Sequence, residues 1–269
     1  MKIGSLFSGI GGLELGLERA GCGRTVWQCE IDPYARAVLA KHWPDAIRFE
    51  DITKMHDVPP VDLICGGFPC QNLSSAGDRR GIHGPKSGLW FAMLRVVGIV
   101  RPRFVVVENS GHAWARWVPV VRAGLAEIGY ASVPVQVRAD QVGAWHRRSR
   151  AFVVAYADSD RAVESWWRAR ARWTDAIESA TALAKWDAPD ADCLWPEQRR
   201  WIEPDQRGWD CDGSRWSSEP DVDRVVHGVS SRMDRSRARR RVDAMANAVV
   251  PQVAEVVGRL VMQIARAAS

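Results

Sequence analysis

The chain has 269 residues, 46% hydrophobic and 26% charged, with a formal net charge of +5 and a pI near 9.0. This is the composition of a soluble globular protein with room for one large domain and a smaller appendage. No run reaches about 18 apolar residues, which excludes a transmembrane helix, and six cysteines without a CxxC pair argue against a zinc site or a disulfide framework.

KIGSLF (residues 2–7) predicts a short buried strand, and GIGGLELGLERAG after it predicts a helix with Leu13, Leu17 and Ala20 on one face and Gly21 as its stop. TVWQCEID predicts a second strand, PYARAVLAKHW a helix opened by Pro33, AIRFED a third strand-like segment and VDLICGG a fourth. SGLWFAMLRVVGIV predicts an amphipathic helix, RFVVVENS a β-branched strand, WVPVVRAGLAEIGY a helix, and VPVQVRA and RAFVVAYA two strands. Strand and helix alternate for about 155 residues, the pattern of a mostly parallel, Rossmann-like sheet with helices on both faces.

The alternation then stops. Residues 157–220 hold eight of the fourteen tryptophans and show no period of 2 or 3.6. The expected organisation is a main α/β domain over residues 1–156, a small irregular region over 157–242 and a helix over 243–269 that returns to the domain. In that helix Val253, Val256, Val257, Leu260, Val261 and Ile264 form one apolar stripe. Residues 221–242 carry seven arginines against three aspartates. That strip reads equally as a solvated basic face or as a phosphate-binding surface. The start of the chain has one lysine followed by glycines rather than the apolar core of a signal peptide, so a cytoplasmic location is expected.

Four constellations carry chemistry. LFSGIGG places a glycine-rich turn between a strand and a helix, where the backbone can approach a ligand. Glu30 ends the second strand, where a carboxylate can accept from ribose hydroxyls, and Asp51-Ile52 stands where an acid and an apolar side chain can meet an adenine. In GGFPCQ the thiol of Cys70 follows a strand, and Pro69 fixes the backbone before it. Glu108 ends the VVVENS strand at the same sheet edge, and HRRSR (residues 146–150) precedes another strand. Taken singly, the turn is shared by many α/β proteins, and Glu108 reads as readily as a surface acid.

The order of these segments, closed by NAVVPQ, resembles the cytosine-5 DNA methyltransferase family over roughly residues 1–157 and 222–262. The resemblance implies a class I methyltransferase-like fold, S-adenosylmethionine as cofactor and double-stranded DNA as partner. It implies methyl transfer to carbon 5 of a flipped cytosine through a covalent Cys70 adduct, with Glu108 on the base and Arg148 and Arg150 behind it. It assigns Phe7, Ser8, Gly9, Gly11, Gly12, Glu30, Asp51, Ile52, Leu89 and Asn247 to the cofactor pocket. No metal is implied. His146 stands where glutamine is common, and Ala246 where glycine is usual. Residues 157–242 are expected to be a small target-recognition region. Its tryptophans either pack a small core or stack on bases. Arg79 and Arg80, beside the nucleophile, and Arg235, Arg237, Arg239 and Arg240 are the expected phosphate contacts. A monomer is expected, and a cognate restriction endonuclease is left as a functional companion without direct contact. The alternatives are the same chemistry on RNA, or a catalytically weak DNA-binding relative.

Overall fold

A computed structural model of the chain describes residues 1–69, 88–142, 148–157, 243–244 and 248–267. Within them lie β1 (Lys2–Leu6), α1 (Gly12–Arg19), β2 (Arg24–Cys29), α2 (Pro33–His42), β3 (Ile47–Phe49) and β4 (Leu63–Gly67). There follow α3 (Leu89–Val100), β5 (Phe104–Ser110), α4 (Trp114–Glu127), β6 (Tyr130–Arg138), β7 (Ser149–Ala157) and α5 (Pro251–Ala267).

The strands form one seven-stranded sheet in the order β3-β2-β1-β4-β5-β7-β6. The first five are parallel to their neighbours, as the βα alternation requires. β7 inserts antiparallel between β5 and β6. Only ten residues, among them a 3-10 turn at Ala139–Val142, separate β6 from β7, too few for a parallel crossover, so those two strands pair antiparallel. Pro134 is tolerated in β6 because that strand is the sheet's edge.

Both faces are covered, and the central strands are apolar on each. Leu63 and Cys65 of β4 and Phe104 and Val106 of β5 join α1 and α5 in one core cluster. Ile64, Val105 and Val107 join Trp90, Val97, Trp117 and Val121 of α3 and α4 in the other. The whole stripe expected on α5 is buried. α5 packs on α1 through small residues. A Cβ on Gly16 would lie 2.4 Å from the Ala254 Cβ, and one on Gly258 would lie 2.5 Å from the Ala20 Cβ. Close backbone approach brings the end of the chain against its beginning.

Both ends of α4 differ from the sequence expectation, and α5 begins at Pro251 rather than at residue 243. α4 starts at Trp114 rather than Trp117, fed by a single 3-10 turn at Gly111–Ala113. It ends before Gly129, whose φ is 81°, so Tyr130 opens β6 instead of closing the helix. The buried Tyr130 hydroxyl donates to the Pro102 carbonyl at 2.6 Å.

Candidate active site

The parallel strands β1, β2 and β4 and the end of β5 open onto one cavity of about 720 Å³. Its first wall is the turn after β1. Phe7 has φ 55°, Gly9 54° and Gly11 88°, a left-handed path that glycine takes without steric cost. The Ser8 amide donates to the Cys29 carbonyl at 3.1 Å, and the Gly11 amide donates to the Ser8 carbonyl at 2.9 Å. The turn is thereby folded back onto the end of β2. Phe7, Gly9 and Ile10 line the cavity.

The other three turn residues work from behind. The Ser8 hydroxyl donates inward to Ser5 Oγ at 2.9 Å. A Cβ on Gly11 would strike the Trp43 ring, and one on Gly12 would lie 2.2 Å from the Val249 carbonyl oxygen. Below the turn, Glu14 is fully buried beside Ser5, Ser8 and Gln28, and burial raises its pKa.

Glu30 closes the turn. Its Oε2 accepts from the Gly9 amide at 2.7 Å and its Oε1 from the Asp32 amide at 2.9 Å. A carboxylate has about four acceptor sites, so lone pairs remain for a ligand. Asp51 follows β3. Its Oδ1 accepts from the Thr53 amide at 2.9 Å and the Thr53 hydroxyl at 2.7 Å, and these bonds hold its pKa below the usual carboxylate value. Ile52 and Leu89 line the same cavity as Glu30 and Asp51.

The opposite wall is built by sheet register. Glu108 of β5 lies beside Gly67 of β4, and Ser110 lies opposite Arg150 of β7. Arg150 is thus the diagonal neighbour of Glu108, and its Nε lies 2.8 Å from Glu108 Oε1. Both side chains are largely buried. Burial pushes the Glu108 carboxyl up from 4.5 to about 7, against the opposing pull of Arg150 and Arg148. Gly67 makes room for it, because a Cβ there would lie 2.4 Å from Glu108 Oε2.

Asn109 supports the neighbouring chain. Its Nδ2 donates to the Phe68 carbonyl at 2.9 Å, and its Oδ1 accepts from the Ser110 amide at 2.7 Å. The Phe68 ring sits between Trp90 and Trp117, with centroids 6.0 and 5.9 Å away. Phe68 and Pro69 are therefore held where they line the cavity, one residue before Cys70.

The structure thus brings Phe7, Gly9, Glu30, Asp51, Ile52, Leu89, Glu108 and Arg150 to one cavity. Cys70, Arg79, Arg80, Asn247, Arg235, Arg237, Arg239 and Arg240 lie outside the described residues, as do residues 158–242. Asp243 and Ala244 line the cavity, so the C-terminal segment reaches it. Sequence reasoning did not assign Tyr34, Gly67 or Asn109. Asn109 had a signal, its place between Glu108 and the strand end; Tyr34, in the first turn of a surface helix, had none.

The order of the sheet and a cavity at the carboxyl ends of its parallel strands define a class I methyltransferase-like fold. The chain belongs to the C-5 cytosine-specific DNA methylase family, whose model matches residues 1–198. It is 37% identical over 163 residues to the type II methyltransferase M2.BsuMI of Bacillus subtilis strain 168, covering 58% of this chain and 42% of that protein. It is also 37% identical over 156 residues to the type II methyltransferase M.CviJI of Paramecium bursaria Chlorella virus IL3A, covering 56% and 41%. The chain spans about half or less of the length of these relatives. Among solved structures, the S. pombe Dnmt2 methyltransferase shares the fold, with a TM-score of 0.50 and 22% identity over 60% of this chain and 52% of that one.

Proposed function

We propose that the protein transfers a methyl group from S-adenosylmethionine to carbon 5 of cytosine in double-stranded DNA. The observation that carries this reading is Glu108, a buried acid titrating near 7, set by Arg150 across the cavity from the Phe7–Gly12 turn. A carboxyl poised near neutral pH is suited to share a proton with a ring nitrogen.

The residues present fit the cofactor. A Cβ on Gly9 would meet no described atom within 4 Å, so this backbone faces open cavity. Phe7 and Ile52 offer apolar faces to a purine, Glu30 offers acceptors to ribose hydroxyls, and Asp51 offers one to an exocyclic amine. When bound, S-adenosylmethionine supplies a methyl group on a sulfonium sulfur, to be taken by carbon 5. The protein's part is to make carbon 5 nucleophilic. The Cys70 thiolate adds to carbon 6, and Glu108 hydrogen-bonds or protonates the ring nitrogen where negative charge develops. Loss of the carbon-5 proton to a base then expels the thiolate and restores the ring. Elimination narrows the nucleophile to Cys70, Cys193 and Cys211, of which Cys70 directly follows the cavity-lining Phe68 and Pro69. Cys22, Cys29 and Cys65 are buried, and burial pushes the first two up to about 12 and the third well above 9.0.

Arg79, Arg80 and the arginines at 235–240 would contact phosphates, and residues 157–242 would recognise the target. A cytoplasmic location and a monomeric state accompany this reading, and a cognate restriction endonuclease would act on the same sites. Among the described residues no helix is long and apolar enough to cross a membrane.

The test is methyl transfer from labelled cofactor to DNA and, in parallel, to tRNA. Transfer to DNA with covalent trapping on a 5-fluorocytosine duplex, both lost in Cys70→Ser, is the expected result. Transfer to tRNA alone would redirect the substrate, and neither transfer nor trapping would leave a DNA-binding relative.

A further inference from the structure

We infer that Arg36 and Arg95 are positioning residues, a two-sided clamp that holds the cofactor half of the cavity in shape for an adenosine group. Neither side chain lines the cavity; each grips backbone that does. From α2, Arg36 Nη1 donates to the Glu30 carbonyl at 3.0 Å and the Ile31 carbonyl at 2.7 Å. Its Nη2 lies 3.2 Å from Glu50 Oε1. From α3, Arg95 Nη1 donates to the Met55 carbonyl and Nη2 to the Ile52 carbonyl, each at 2.8 Å. Between the two grips, the Glu30 amide donates to the Phe49 carbonyl at 3.0 Å. One chain of contacts therefore runs from α2 through the ends of β2 and β3 and the 3-10 turn at Ile52–Lys54 to α3.

Each contact has a physical reason. At the carboxyl edge of a parallel sheet the last carbonyls have no further strand partner, and loops there are free to drift. A guanidinium is a planar fork that can hold two carbonyls at once, which an ammonium point charge cannot do with the same geometry. Glu30, Ile31, Asp32, Glu50, Asp51 and Ile52 all line the cavity. Four of these six are acids, and Arg36 sits among them with its charge on Glu50. Fixing this wall before a ligand arrives removes an ordering cost from binding.

The inference rests on the S-adenosylmethionine reading above, and its test separates the two. Arg36→Met and Arg95→Met keep the aliphatic stem and lose the fork. Calorimetry with S-adenosylmethionine and with adenosine alone reads affinity, and methyl transfer at saturating cofactor reads turnover. Each variant should weaken both ligands about tenfold, while turnover at saturation changes less than about twofold. A role confined to folding would lower the melting temperature and leave the affinity of the folded protein unchanged; that result overturns the clamp. So does a loss seen only in turnover, or only with the full cofactor and not with adenosine. If a Met variant fails to fold by circular dichroism, Arg36→Lys and Arg95→Lys decide. A loss of about threefold or more supports the clamp, and wild-type affinity overturns it. If the wild-type protein itself does not bind S-adenosylmethionine, the cofactor reading fails, and the clamp with it.

Discussion

Asp51 and Glu108 line one cavity, yet their carboxyls are tuned in opposite directions. Asp51 sits in the opening turn of a 3-10 helix, where hydrogen bonds from Thr53 favour its anion and lower its pKa. Glu108 sits at the end of a strand buried on both faces, and burial outweighs two arginines to raise its pKa to about 7. On the proposed function the Asp51 wall is the cofactor wall and holds an acceptor whose anion is favoured, while the Glu108 wall is the reacting wall and holds a group that changes protonation near neutrality. The residue type does not set that role; the solvent and donors around it do.

The linkage to stability also has opposite signs. For Glu108, whose folded pKa is raised, the contribution is present below the unfolded value near 4.5 and lost as pH rises through about 7. For Asp51, whose folded pKa is lowered, the contribution is present above the unfolded value near 3.8 and lost as pH falls through the lowered one.

The largest expected effect is at the reacting wall. Glu108→Gln should cost about 100- to 10,000-fold in methyl transfer and leave cofactor affinity within about twofold, read by single-turnover kinetics beside calorimetry. In thermal melts taken along a pH series, it should gain on the wild type as pH rises from about 4.5 to about 7. An unchanged difference across that range would mean Glu108 is ionised throughout.

Glu30→Ala should do the reverse. It removes an acceptor of the cofactor wall and the tie to Gly9, and should weaken cofactor binding by about 1 to 3 kcal/mol. If turnover at saturating cofactor fell by a similar factor, the division between the walls would be lost.

Gly67→Ala puts a methyl group 2.4 Å from Glu108 Oε2, so the carboxylate must shift from the position in which it pairs with Arg150. Turnover should fall about tenfold, an amount set by how far the acid moves. A wild-type rate would show that the position of Glu108 is not critical. The smallest effect is at Thr53→Val, which deletes the hydroxyl bond to Asp51 but keeps the amide bond. The Asp51 pKa should move back toward its ordinary value, seen in the carboxyl NMR titration, with little change at neutral pH.

The walls also differ in how far the sequence discloses them. Glu30, Asp51 and Ile52 follow strands that alternate visibly with helices, so their place at one sheet edge comes from the pattern. That Glu108 ends a strand is equally legible. The company it keeps is not, because the ion pair with Arg150 depends on β7 running antiparallel beside β5. A regular βα repeat predicts parallel strands throughout, and only the short connection between β6 and β7 breaks that rule. Ser8, Gly11 and Gly12 look like pocket residues in the motif. Packing against Ser5, Trp43 and Val249 turns them into its support.

By itself, the sequence determined the alternation of strands and helices, the apolar stripe of α5 and the residue types at the strand ends. These follow from local periodicity and from backbone chemistry carried by neighbouring residues. Only the tertiary structure decided the rest. It set the register of Gly67 beside Glu108, the burial that holds Glu108 near 7, and the grip of Asn109 on the chain before Cys70. It also placed two arginines, one from each of two helices, on carbonyls of the cavity wall. Each of these joins residues distant in the chain, and both desolvation and hydrogen-bond geometry depend on what the fold packs around a group.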